Sequence, residues 1–381
     1  MMEMYENADS IWKYAFAMLC SLFIAGIYDA IKQRKQIRWI VRWITYVVIS
    51  FPFAILIGLR RYDVGADTKN YVKMFYAPKN INKNLEFAYR KIVYFCNDIG
   101  DGNNYSVLLV LFSFLTLFFV LFAIEIMDKE ASVTLALFLF FAFMGLNMTD
   151  QIRQMLAVSL FAVFVAFLNR KSYIYAGGIL AIAVGIHTSI ILAIGLLCII
   201  RTLKLDSYVK VSVCNSVMYF RAKLMLCIIG VCLFIITSFP VVCSILFTYM
   251  LPKYKFYFDT AVEIKNMGMG FLLDMTMPLL AVVCTDKKKM DKKEGILYSF
   301  VFLTVIFRLL TYYSYFVGRM LLYMNIIGIL LLTIMIKEYK KQKRRKMLIL
   351  IVIFGIMYFI FNIRNYFESG HGAIPYYSIY D

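Results

Sequence analysis

The sequence predicts an all-α, polytopic membrane protein, and three observations carry the prediction. Hydrophobic residues fill 62% of 381 positions, above the roughly half found in soluble domains. They fall in runs that suit membrane helices, which need about 20 residues per crossing. Basic clusters recur on every second connection between the runs, the pattern that fixes orientation in a bilayer. A net charge of +18 would point to nucleic acid in a soluble chain. Here the excess sits in short clusters between apolar runs, so it marks orientation and contact with anionic lipid, and no nucleic-acid partner is expected.

Taken in order, the apolar runs give about twelve helices, near 11–31, 39–59, 104–126, 131–148, 152–168, 172–186, 188–200, 222–250, 270–285, 295–313, 319–336 and 347–363. One set of connections holds Lys32, Arg34, Lys35 and Arg38, then Arg170 and Lys171, then Arg201 to Lys223, Lys287 to Lys293, and the run from Lys337 to Lys346. The positive-inside rule makes this set cytoplasmic and places both termini outside. The chain reads as one multispanning domain, 1–381. It carries a large extracytoplasmic loop at 60–103 and a second one at 252–269. The stretch 172–200 is too long for one crossing and short for two, so it is a pair of short helices or a re-entrant hairpin turning at Gly185-Ile186-His187-Thr188. Pro240 is placed to kink the long run 222–250. No internal repeat and no cleavable signal is expected.

Eight cysteines and two histidines show no metal-site spacing, so no metal and no cofactor is expected and the thiols read as small apolar residues. Chemistry must come from outer-side charges. Arg60-Arg61-Tyr62-Asp63-Val64-Gly65-Ala66-Asp67-Thr68 stands at the rim of a helix, where four charges cost solvation energy unless they hold a ligand or each other. Topogenic arginines would be expected on the other side. Residues 84–98 have helical apolar spacing and predict an interfacial amphipathic helix, on which a solvated Glu86 is the ordinary reading. Arg153 falls in the first turn of its helix, against the dipole, with Thr149 or Asp150 expected as the cap. Arg308 lies inside an apolar run with Asp274 as a possible structural partner, and Arg319 opens the next run. Acids within helices are too few to pair Arg60, Arg61, Arg153, Arg308, Arg319 and Arg364, which points to a fixed anionic ligand bound by planar guanidinium forks.

In order along the chain stand Arg60-x-x-x-x-Gly65-x-Asp67-Thr68-x-x-Tyr71, Glu86-x-x-Tyr89, Ile152-Arg153-Gln154-x-Leu156-Ala157, Ile186-His187-x-Ser189, Arg319-x-x-x-Tyr323 and Ile374-Pro375-Tyr376. This series resembles the EpsG family, whose members look like Wzy-type polymerases of O-antigen, capsule and exopolysaccharide. Ala66 departs from the threonine that relatives often carry. The resemblance implies a GT-C-like glycosyltransferase of the bacterial cytoplasmic membrane with its site on the outer side. Such an enzyme joins undecaprenyl-diphosphate-linked oligosaccharides, which serve as donor and acceptor, and works beside the flippase and chain-length regulator of its pathway. It needs cations for the departing diphosphate and a base for the acceptor hydroxyl. On this resemblance Asp67, His187 and Glu86 are the catalytic candidates, with Asp67 favoured as base. Arg60, Arg61, Asp63, Tyr71, Arg153, Gln154, Arg308, Arg319 and Tyr323 are the diphosphate or sugar contacts. An O-antigen ligase-like transferase and a flippase of lipid-linked saccharides are the alternatives.

Overall fold

The computed structural model describes residues 2–34, 37–81, 85–205, 209–213, 216–220, 222–237, 269–284, 292–311, 315–368 and 373–380. The expectation for Pro240, and that for the loop 252–269 as far as residue 268, lie outside these residues. In chain order the helices are α1 (Met2–Lys32), α2 (Trp39–Gly58), α3 (Thr68–Tyr76), α4 (Phe87–Ile99), α5 (Ser106–Met127), α6 (Val133–Met144), α7 (Asn147–Asp150), α8 (Ile152–Asn169), α9 (Tyr173–Ile186) and α10 (Ile190–Thr202). A hairpin of β1 (Val209–Val213) and β2 (Ser216–Phe220) follows. Then come α11 (Ala222–Thr237), α12 (Met269–Asp274), α13 (Thr276–Cys284), α14 (Lys292–Leu310), α15 (Tyr315–Gly318), α16 (Leu321–Met335) and α17 (Lys341–Glu368).

Among the described residues six segments are long and apolar enough to cross a membrane: Ala8–Lys32, Trp39–Gly58, Ser106–Met127, Ile152–Asn169, Leu321–Glu338 and Lys341–Arg364. The chain is a membrane-embedded helical protein. Of the about twelve expected helices, some short, the other described ones are shorter or more charged than a full crossing, and the residues give the reason. The run 131–148 stops at Met144 and restarts as the single turn α7. The run 270–285 breaks at Met275, because Pro278 lacks an N–H and its ring clashes with the carbonyl four residues earlier, at Asp274. Helix α14 carries Lys292, Lys293, Glu294 and Arg308 in one 19-residue element. The stretch 172–200 forms two short helices, α9 and α10, joined through His187–Ser189. One departure from an all-α chain is the antiparallel hairpin, with Val211 opposite Met218. Its Val-Lys-Val-Ser-Val alternation has the period of two that a strand requires, inside a segment otherwise read as a basic connection.

Within the multispanning body the chain forms two compact units, Met1–Ile190 with Ile349–Asp381, and Ile191–Leu348. In the first unit α8 is buried on almost every face and packs on α5 and α9, while α5 packs on α2, α2 on α1 and α1 on α6. The α2–α5 approach depends on Gly58, where a Cβ would stand 2.0 Å from Val110 Cγ2. Polar fasteners fix the helix ends. The Asp29 carboxylate accepts from Ser132 Oγ (2.7 Å), Val133 N (3.1 Å) and Thr134 N (2.9 Å), satisfying donors at the start of α6 that have no partner within the helix. Glu125 on α5 pairs with Arg42 and accepts from Tyr46 Oη at 2.8 Å, tying α5 to α2. Helix α4 buries Tyr89, Val93 and Cys96, spaced four and three residues apart, and packs on α3, α5 and α9.

The second unit is built around α14 and α16, with α11 on α14 and α13 on both. Ser299 Oγ on α14 reaches the Leu205 carbonyl at 3.2 Å. That contact holds the segment ahead of the hairpin.

Candidate functional site

The segment after α2 turns sharply at Gly65, whose φ of +93° is open to glycine and strained for other residues. Space requires glycine as well, since a Cβ there would lie 2.2 Å from the Thr149 carbonyl oxygen. The turn is therefore seated directly on α7. Arg60 occupies the middle of this contact and is 0% exposed. Its Nη2 donates to the Thr149 carbonyl (2.9 Å), its Nε to the Val64 carbonyl and Thr68 Oγ1 (both 3.2 Å), and its Nη1 to the Ile57 carbonyl. Burial holds its pKa below the usual guanidinium value, an effect opposed by nearby Tyr14 and by Asp150. Arg60 is thus a cross-brace of main-chain carbonyls. Asp150 is 3% exposed and completes the seat, its Oδ1 accepting the Ala66 N–H at 2.8 Å.

Arg61 points elsewhere. Its Nε and Nη2 hold Asp63 in a two-point pair at 2.7 and 2.9 Å, and its guanidinium lies 4.3 Å from the centre of the Tyr377 ring. The hydrogen bonds from Arg61 keep the Asp63 carboxyl below the ordinary carboxylate range and raise the pKa of Arg61 in turn. Tyr377 arrives on the segment 373–380, which pairs antiparallel with the end of α2. The Arg61 N–H donates to the Tyr377 carbonyl and the Ile379 N–H to the Leu59 carbonyl, both at 2.8 Å. Tyr376 Oη reaches the Leu56 carbonyl (2.8 Å), the Tyr376 N–H reaches Ser10 Oγ (2.7 Å), and Tyr14 Oη reaches the Ala373 carbonyl (2.9 Å). Tyr105 Oη donates to the Arg60 carbonyl at 3.2 Å, and burial pushes its pKa up to about 12.

A second cluster gathers three distant segments. Arg153, at the start of α8, places Nη2 3.0 Å from Glu86 Oε2 and its guanidinium 4.3 Å from the centre of the Tyr89 ring. The other carboxylate oxygen of Glu86 accepts the Thr188 N–H at 3.1 Å. One residue earlier, His187 Nδ1 accepts the Ser189 N–H at 3.2 Å, which leaves the hydrogen of a neutral imidazole on Nε2. Glu86 is therefore no solvated acid on an amphipathic helix. It stands just ahead of α4 and ties α8 to the α9–α10 turn, supplying the anion that a cation at a helix N-terminus favours.

Asp67 is half-buried and precedes α3, with Tyr71 buried one turn on, and Gln154 is buried beside Arg153 in the sequence. All these residues belong to the first unit. Arg308, Arg319 and Tyr323 belong to the second, where Arg308 Nε sits 2.9 Å from Asp274 Oδ2 and Tyr323 is fully buried. The pairing of Arg308 with Asp274 is the one expected from the sequence. The wider argument from too few acids needs correcting, because Arg61 and Arg153 draw their partners, Asp63 and Glu86, from outside the helices. Asp150 and Thr188 were missed as site residues. Their one signal was position, Asp150 three residues before Arg153 and Thr188 between His187 and Ser189. Among the described residues no group of three or more His, Cys, Asp or Glu could hold a metal ion, and Cys20, Cys96, Cys198, Cys227, Cys232 and Cys284 are free thiols.

The EpsG family model matches residues 43–378, a span that includes the Arg60 brace, the Glu86–Arg153 cluster and the C-terminal segment. The chain belongs to the EpsG family. EpsG is a Wzy-type polymerase family, so membership gives this membrane protein a polysaccharide polymerase role in surface polysaccharide biosynthesis. No curated protein and no solved structure matches this EpsG-family chain.

Proposed function

We propose that the protein polymerises lipid-diphosphate-linked oligosaccharides, the undecaprenyl form being the substrate that the family resemblance implies, on the extracytoplasmic side of a bacterial cytoplasmic membrane. The observation that carries this reading is the meeting of Glu86, Tyr89, Arg153 and the His187–Thr188 turn around one ion pair. Three of the family-like motifs converge there. In the reaction, a hydroxyl oxygen of the acceptor unit attacks the anomeric carbon at the reducing end of the growing donor glycan. The bond from that carbon to the phosphate oxygen breaks, and the lipid diphosphate leaves with the electron pair. The hydroxyl proton passes to a carboxylate, the task that the Asp67 motif implies for Asp67. Arg153 faces the negative charge that develops on the leaving diphosphate, and the Nε2–H of His187 suits the same task as a donor. Arg61, held by Asp63 and stacked on Tyr377, offers a planar edge to sugar hydroxyls.

Arg60 is reassigned from substrate contact to architecture, and Arg308, paired with Asp274, likewise. Arg319, Gln154, Tyr71 and Tyr323 keep the roles that their motifs imply. A scaffold of about twelve helices, some short, with a GT-C-like arrangement and both termini outside, goes with this reading. The flippase and the chain-length regulator of the pathway are its partners. Deleting the gene and examining the surface glycan tests it. Single repeat units on an otherwise intact pathway are expected; complete loss of surface repeats would favour the ligase-like or flippase alternatives.

A further inference from the structure

We propose that Asp150 is a positioning residue that holds Asp67 in register with Arg153, so that base and diphosphate-facing cation act across one fixed gap. The inference rests on the polymerase reading and on Asp67 as base. Four contacts carry it. Asp150 Oδ1 accepts the N–H of Ala66, the residue just before Asp67, at 2.8 Å. The neighbouring Thr149 carbonyl receives Arg60 Nη2 at 2.9 Å and Thr68 Oγ1 at 3.2 Å, so the residues on both sides of Asp67 are pinned to α7. Gly65 leaves no slack, since its backbone approaches the Thr149 oxygen closer than any Cβ would permit. Three residues past Asp150, and only one turn into the next helix, stands Arg153, whose own direction is set by Glu86 and Tyr89.

An aspartate is more than the seat itself requires. A serine or asparagine would satisfy one N–H, whereas a carboxylate that is 3% exposed carries a solvation cost. Its charge is spent on the buried guanidinium of Arg60, which it favours electrostatically. Asp150 thus acts in two separable ways, as acceptor for Ala66 and as counter-charge for Arg60. The acceptor function is the one that fixes Asp67.

The test uses full-length protein purified in detergent, with lipid-linked repeat units extracted from a strain lacking this chain as both donor and acceptor. Turnover and KM are measured per folded molecule for wild type, Asp150→Ala, Asp150→Asn, Asp67→Asn and the Asp67→Asn/Asp150→Ala pair. A displacement of about 1 Å in a catalytic group costs on the order of 100-fold in rate. Asp150→Ala is therefore expected to lower kcat on that scale with KM within a few-fold, and Asp150→Asn, which keeps an oxygen toward Ala66, to restore most of the loss. In the Asp67→Asn background Asp150→Ala should add little, because the residue it positions is already gone. Equal loss in Asp150→Asn and Asp150→Ala, or full additivity with Asp67→Asn, would overturn the proposal. So would an activity loss that disappears once rates are corrected for folded protein. The reading beneath it fails differently: either wild type makes no polymer from these units, or Asp67→Asn retains full turnover.

Discussion

Replacing Arg60 by lysine separates architecture from recognition, because the charge stays and only the fork is lost. In the structure the guanidinium serves four acceptors on three segments: the Ile57 carbonyl, the Val64 carbonyl with Thr68 Oγ1, and the Thr149 carbonyl. A lysine ammonium at the same depth is a compact point charge and can serve one or two of them. Each hydrogen bond from a charged donor contributes about 1.5–3 kcal/mol, so losing two costs about 3–6 kcal/mol. Set against a total stability of about 5–15 kcal/mol, that is a large share. For a unit of this size about 2–4 °C accompanies each kcal/mol, so the melting temperature should fall on the order of 10 °C. The assay is thermal stability in detergent by fluorescence-detected size exclusion, run beside the surface-glycan profile at matched protein level. Polymerisation should fall together with the folded fraction. If Arg60→Lys melts like wild type yet makes no polymer, the guanidinium is a ligand group and the cross-brace assignment is wrong.

Glu86→Gln keeps an oxygen toward Thr188 but removes the charge facing Arg153, and both partners are largely buried, at 13% and 10% side-chain exposure. A double-mutant cycle with Arg153→Met should give a coupling of about 1–3 kcal/mol in thermal or denaturant stability; additive effects would mean that the pair is not formed. The Asp63 carboxyl titrates lower in the folded protein than in the unfolded chain, so the Arg61–Asp63 pair stabilises above the unfolded carboxylate pKa. That contribution is lost as pH falls through the lower folded value. Asp63→Asn should therefore flatten the acid limb of a stability profile measured from pH 7 to 3, modestly because the pair is about one-third exposed. Cys96 is fully buried and its thiol is pushed up to about 11. Maleimide at pH 8 should leave it unlabelled in native protein and label it after denaturation, and native labelling would mean that α4 is not packed as described.

Helix positions were legible because a bilayer demands long apolar runs, although six of the described segments are long and apolar enough to cross one. The pairing of Arg308 with Asp274 was legible for the same reason, since opposite charges inside apolar runs seek each other. The fate of Arg60 was not. Its partners are mainly main-chain carbonyls, one of them 89 residues away, and every residue type carries that group. The reading of Glu86 as a solvated acid, which stood beside its candidacy for catalysis, fails because helical spacing says nothing of Arg153, 67 residues on. The acid shortage inferred from the sequence failed in the same way. It counted carboxylates within helices, whereas Asp63 and Glu86 lie just outside them. All six ordered motifs lie within the residues 43–378 that the family model matches, and three of them meet around the Glu86–Arg153 pair.

The C-terminal segment has a consequence for how the protein is made. Tyr376 closes on Leu56, 320 residues earlier, and the same few residues grip Ser10, Leu59 and Arg61. A ribosome that has inserted α2 and the whole Arg60 turn must therefore still deliver the rest of the membrane body before that turn gains its last wall. During this interval Arg61 has Asp63 but no aromatic ring behind it. The wall around Arg61 is thus complete only once translation has passed Ile379.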